Sequence, residues 1–198
     1  MVTLVKNEYT FDLVCYCDSY PGIGNGHLKR SFDIIESLLL RDRTLKISIM
    51  GKYSETAKKF IELFNSYNIS VLNVSNENLS SKVTLLDTMN KPGDVDTIET
   101  GVAKYLKRIS DKLFVINTGF NTHVPESVDA IINYIPLTRY FGNNHLEKYF
   151  GFKYAPVSRE FSSKGNNNIE IDLLCIIGGS ETQEGPRILS ETLNEVFG

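Results

Sequence analysis

The strongest constraint on how this chain can fold lies in residues 11–41, where a short apolar run passes through a glycine-rich turn into a longer amphipathic segment. Phe11 to Cys17 is compact, apolar and bounded by turn formers, as expected of a strand buried on both faces of a parallel sheet. Residues 16–31 then run Tyr-Cys-Asp-Ser-Tyr-Pro-Gly-Ile-Gly-Asn-Gly-His-Leu-Lys-Arg-Ser. Gly22, Gly24 and Gly26 let the backbone turn sharply and approach a ligand with no side chain intervening. A helix is predicted over 26–41, with Leu28, Phe32, Ile35 and Leu39 turned inward and Lys29, Asp33 and Glu36 turned out. Its free N–H groups and positive dipole end would favour a phosphate or another anion beside His27 in the first turn. The glycine spacing is not that of the dinucleotide fingerprint.

The same alternation continues along the chain. Strands are expected at Leu45–Met50, Ile69–Val74, Val83–Leu86, Leu113–Asn117 and Ala130–Ile135, with helical segments from Gly51 through Tyr67 and over 94–110. Such a succession builds a doubly wound parallel sheet with ligands at the carboxyl ends of its strands, where Asp18 and Asp87 fall. From Pro136 to Phe161 the pattern is irregular and aromatic-rich, and core packing is the expected use of Tyr140 to Tyr154. Residues 162–168 have linker composition, and Ile169–Ile177 followed by a helix from Pro186 to Phe197 starts a second unit. The expected division is therefore 1–161, a linker at 162–168, and an incomplete second domain over 169–198. One strand and one helix cannot bury both their faces, so that unit must pack on the first domain or on a partner chain, including a second copy.

Composition narrows the classes of function. A net charge of -3 gives no overall electrostatic case for nucleic acid or an anionic membrane. The apolar run Ile34–Leu40 is too short to span a bilayer, and the first residues lack the pattern of a secretory leader, so a cytoplasmic protein is expected. Cys15, Cys17 and Cys175 lie in apolar runs and are expected to pack in the core rather than bind metal, and the Asn-x-Ser matches at Asn68, Asn73 and Asn78 carry no weight without a secretory route. His123 and His145 are expected to be solvated.

Four landmarks together resemble a known family. Cys-Asp-Ser-Tyr-Pro-Gly-Ile-Gly-Asn-Gly-His-Leu-Lys-Arg is similar to the N-terminal motif of the PseG/SpsG-like family, the nucleotide-sugar hydrolases of pseudaminic acid biosynthesis and the related spore-coat polysaccharide proteins. Leu85-Leu86-Asp87, Tyr154-Ala155-Pro156-Val157-Ser158-Arg159-Glu160-Phe161 and Ile177-Gly178-Gly179-Ser180-Glu181 follow in the same order. The resemblance implies a fold of the glycosyltransferase B type, related to MurG, here an N-terminal Rossmann-like domain and the first βα unit of a truncated C-terminal one. It implies hydrolysis of a UDP-sugar, with His27 as the base that activates water and with no metal or cofactor. Where the family shows His-Tyr after the aspartate, this chain has Thr88-Met89.

On that reading His27 and Asp18 are the catalytic candidates, Asp18 either contacting substrate, orienting His27 or simply capping the turn. Gly22, Gly24, Asn25, Gly26, Arg30, Asp87, Gly178, Gly179 and Ser180 are the substrate-binding candidates. For Arg30 a local salt bridge on the helix face competes with phosphate contact, and for Asp87 loop capping competes with the cleft. Fold alone does not separate a hydrolase from a transferase that uses a sugar acceptor, and a truncated, non-catalytic binding or assembly module is a third reading.

Overall fold

The structure is a computed structural model that describes residues 10–20, 23–67, 69–72, 79–87, 96–117, 121–134 and 139–156. The linker and the second unit, with Gly178, Gly179 and Ser180, lie outside the described residues, as does Gly22.

Phe11–Cys17 forms β1 and Gly26–Arg41 forms α1. They are followed by β2 (Ile47–Met50), a 3-10 turn at Glu55–Ala57, α2 (Lys58–Ser66), β3 (Ser70–Leu72) and β4 (Ser81–Asp87). Then come β5 (Asp96–Thr97), α3 (Thr100–Arg108), β6 (Ser110–Ile116), β7 (Asn121–His123), β8 (Ala130–Asn133), β9 (Arg139–Phe141) and β10 (Glu147–Phe150). Seven strands make one all-parallel sheet in the order β10-β8-β6-β4-β1-β2-β3, a Rossmann-like α/β architecture. The other three, β5, β7 and β9, make a small parallel sheet of their own.

The two faces are filled by different parts of the chain, as the handedness of parallel crossovers requires. From β1 the chain moves outward to β2 and β3, whereas from β4 it moves the opposite way to β6, β8 and β10. Right-handed connections in opposite directions place their crossovers on opposite faces. Accordingly Leu28 and Ile35 of α1 and Phe64 of α2 pack on Leu13, Cys15 and Cys17 of β1 and Leu85 of β4. Ala103 and Leu106 of α3, with Val124 and Val128, pack on Val14, Leu86, Val115 and Ile131. Because side chains alternate along a strand, Asp87 shares the face of Leu85 and so points toward α1.

Several sequence expectations need correction. Residues 94–110 do not form one helix: Asp96–Thr97 pairs with β7, and α3 runs only from Thr100 to Arg108. The segment expected to be irregular contains β9 and also β10, which closes one edge of the main sheet. Strand β4 begins at Ser81 and β6 at Ser110, both earlier than their apolar runs, because Ser81 is buried and takes its ladder place opposite Ser110. Asp33, expected on the outer face of α1, is buried, with Lys29 Nζ 2.7 Å away one turn back. His123 is not simply solvated: its ring meets Phe141 edge-on at 5.6 Å between centroids.

Candidate functional site

The strand order reverses between β1 and β4: the chain leaves β1 toward β2, while β4 lies on the other side. In open α/β sheets this reversal opens a crevice beyond the carboxyl ends of the strands. The loop after β1 and the end of β4 meet there, and with them several of the residues that the sequence singles out.

The glycine-rich turn is held from below. Ile23 and Gly24 donate their N–H groups to the carbonyl of Tyr20, at 2.9 and 3.2 Å, and Gly24 adopts φ +74°, a left-handed conformation that glycine takes without strain. Ser19 donates its hydroxyl to Asn25 Oδ1 at 2.5 Å, and its backbone is tied to the loop after β2 through Lys52 and Ser54. Asn25 is the N-cap of α1 yet its side chain caps none of the first-turn amides. A Cβ built on Gly26 would meet no described atom within 4 Å, so the first residue of α1 has room on its Cβ side. First-turn amides that no side chain caps are an arrangement able to receive an anion.

Three residues meet just past the helix start. His27 Nδ1 lies 2.7 Å from Asp87 Oδ1. Arg30, one turn further along α1 and on the same side of it, grips both oxygens of the carboxylate, Nε to Oδ2 at 2.6 Å and Nη2 to Oδ1 at 2.7 Å. Its Nη1 donates to the hydroxyl of Tyr134, the residue just past β8. Asp87 is 1% exposed, and the side chains of His27 and Arg30 are 12% and 16% exposed. Burial opposes the charge on Arg30, but the hydrogen bond and charge of Asp87 outweigh it and hold the guanidinium more firmly protonated than usual.

The contacts decide the histidine tautomer. Nδ1 also lies 2.9 Å from Arg30 Nη2, which can only donate. If Nδ1 accepted that proton, its lone pair would face a carboxylate oxygen at 2.7 Å, a repulsive pairing. With the proton on Nδ1, both nitrogens donate to the same Oδ1, and their mutual distance follows from sharing it. Nε2 is then the unprotonated nitrogen, and no described residue is bonded to it. A neutral imidazole held in this way can accept a proton at Nε2.

Asp18 is placed elsewhere. Its Oδ1 accepts the N–H of Lys52 at 2.8 Å and so caps the loop after β2. Gly51, just before, is packed so tightly that an added Cβ would lie 1.8 Å from the carbonyl oxygen of Cys17. The structure therefore brings His27, Arg30 and Asp87 into contact, with Gly24, Asn25 and Gly26 just before them at the start of α1, while the carboxylate on His27 is that of Asp87 and not of Asp18. Arg30 is in a salt bridge, but with Asp87 of β4 and not locally on the helix face, and it also donates to Tyr134.

Nearby, Cys15 and Cys17 are fully buried on the α1 face, and burial raises both thiols, Cys17 to about 12 with the charge of Asp87 adding to the effect. Among the described residues no cluster of three or more histidine, cysteine, aspartate or glutamate side chains is grouped as for a metal, and no helix is long and apolar enough to cross a membrane.

Tyr134 is the site residue that sequence reasoning missed. A signal for it existed: strand periodicity places residue 134 on the same face as Ile132, at the carboxyl end of a strand two places from β4. Comparison with protein-family models, with curated proteins and with solved structures finds no match to this chain.

Proposed function

We propose that the chain is a UDP-sugar hydrolase of the PseG/SpsG type, with the sheet described above as the N-terminal domain of a glycosyltransferase B fold. The observation that carries this reading is the 2.7 Å contact between His27 Nδ1 and Asp87 at the strand-order reversal, beside an uncapped helix start. In the reaction, His27 Nε2 takes a proton from water as the water oxygen bonds to the anomeric carbon. The bond from that carbon to the phosphate oxygen breaks, and its electron pair leaves with UDP, giving inversion. Asp87 stabilises the imidazolium that forms, and amides of the turn and of the first helical turn offset charge on the departing diphosphate. On the resemblance, Gly178, Gly179 and Ser180, which lie outside the described residues, are the remaining candidates for diphosphate contact. The cellular setting that goes with this reading is cytoplasmic synthesis of a surface polysaccharide or nonulosonate precursor.

The test is UDP release by purified protein supplied with UDP-sugars, with and without a sugar acceptor. Release without acceptor that disappears in a folded His27→Ala variant supports hydrolysis. Release only with acceptor replaces the hydrolase by a transferase. No release together with no thermal stabilisation by UDP makes the chain a non-catalytic module and overturns the proposal.

A further inference from the structure

We propose that Arg30 and Tyr134 are positioning residues that hold Asp87 against His27 and so keep its proton on Nδ1 and leave Nε2 as the proton-accepting nitrogen. This deepens the reading above, on which its catalytic consequence rests, while its structural content stands without any substrate.

A carboxylate at the end of a strand has one soft torsion, and a lone hydrogen bond to His27 would leave its second oxygen free to rotate into Nδ1's place. Arg30 removes that freedom by taking both oxygens through two nitrogens in one plane, a fork that a lysine cannot reproduce. The guanidinium plane needs its own anchor, and Tyr134 supplies it from the opposite side by accepting from Nη1. The Arg30 carbon at the centre of the guanidinium also lies 5.8 Å from the Tyr134 ring centroid, so the ring backs the cation as well as bonding it. Thus β8 sets Arg30, Arg30 sets Asp87 on β4, and Asp87 sets His27 on α1.

Several elements bring charged or titratable groups to this site. Asp87 faces His27 from β4 and Arg30 from its own helix, Tyr134 reaches Arg30 from beyond β8, and Cys17 of β1 beside Asp87 is neutral. Arg30 balances the charge of Asp87 and fixes its two oxygens, so removing the guanidinium frees the carboxylate to turn away from Nδ1.

The chain has three histidines, so the imidazole nitrogen signals can be assigned by NMR from the loss of one set in His27→Ala. In the wild type the nitrogen shifts of His27 should report the Nδ1–H tautomer. Arg30→Gln should replace that single tautomer by a mixture. Tyr134→Phe removes only a hydroxyl, guards against a folding failure of Arg30→Gln, and should mix the tautomers to a smaller extent. Arg30→Lys keeps the charge but not the fork, so it should not restore the single tautomer. An Nε2–H tautomer in the wild type, or a single Nδ1–H tautomer kept in both Arg30→Gln and Tyr134→Phe, overturns the proposal. UDP release by the same variants distinguishes the two ideas: the tautomer result can hold in a protein that hydrolyses nothing.

Discussion

Replacing Asp87 by asparagine keeps the shape of the side chain and removes its charge. Asp87 lies 2.6 Å from Arg30 and is 1% exposed, and Arg30 is itself only 16% exposed. The variant leaves a largely buried cation without its counter-charge, and breaking a buried pair from one side costs about 3–5 kcal/mol. For a chain of this size each kcal/mol lowers the melting temperature by roughly 2–4 °C, so the loss should be about 6–20 °C. The molecule contains its own control. Lys82 and Asp12 are also 2.6 Å apart, but the lysine side chain is 58% exposed, and solvent screening reduces such pairs to about 0–1 kcal/mol. Denaturant unfolding of Asp87→Asn and Asp12→Asn side by side therefore isolates burial from distance. A double variant, Arg30→Met with Asp87→Leu, should recover most of the stability, since an apolar pair needs no charge compensation. Equal, small losses in Asp87→Asn and Asp12→Asn would refute the argument that the Arg30–Asp87 pair is buried and structural.

Other outcomes follow from single contacts. Gly51→Ala forces a methyl to within 1.8 Å of the Cys17 carbonyl, so it should destabilise by about 1–3 kcal/mol or more in thermal unfolding even though alanine is a mild change elsewhere. Cys15 and Cys17 should resist thiol reagents in the folded protein. Because the Cys17 thiol is raised to about 12 in the fold, its contribution to stability is complete below the unfolded value near 9 and is lost as pH rises toward 12, which alkaline denaturation would show. Asp18→Asn retains an oxygen to accept from Lys52 N–H, so it should leave stability and any UDP release near wild type, in contrast to Asp87→Asn.

What was legible in the sequence follows from which physical signals are local. The span of α1, Gly26–Arg41, could be read because Leu28, Phe32 and Ile35 repeat at helical spacing behind a glycine turn. Parallel strands buried on both faces appear as near-continuous apolar runs, in β1 the five residues from Leu13 to Cys17. Edge strand β10 could not be read this way: Glu147, Lys148 and Phe150 are exposed, so nothing in Glu-Lys-Tyr-Phe marks burial. Strand β5 has only two residues, held by pairing with a segment 26 positions later, Asp96 with Thr122, and no local pattern records such a partner. In the site, His27 and the glycines stood out by residue type. The choice of Asp87 over Asp18 as the carboxylate on His27 depended on strand order. Both aspartates end strands, and only the packing of α1 over β4 brings one of them to the histidine.

The proposed role of His27, activating water at an anomeric carbon, is decided by turnover of a UDP-sugar in oxygen-18 water with wild-type protein and His27→Ala. Heavy oxygen should appear at the anomeric hydroxyl of the released sugar and not in UDP, and turnover should be lost in the variant. Label in the diphosphate, or undiminished release without His27, would rule that role out.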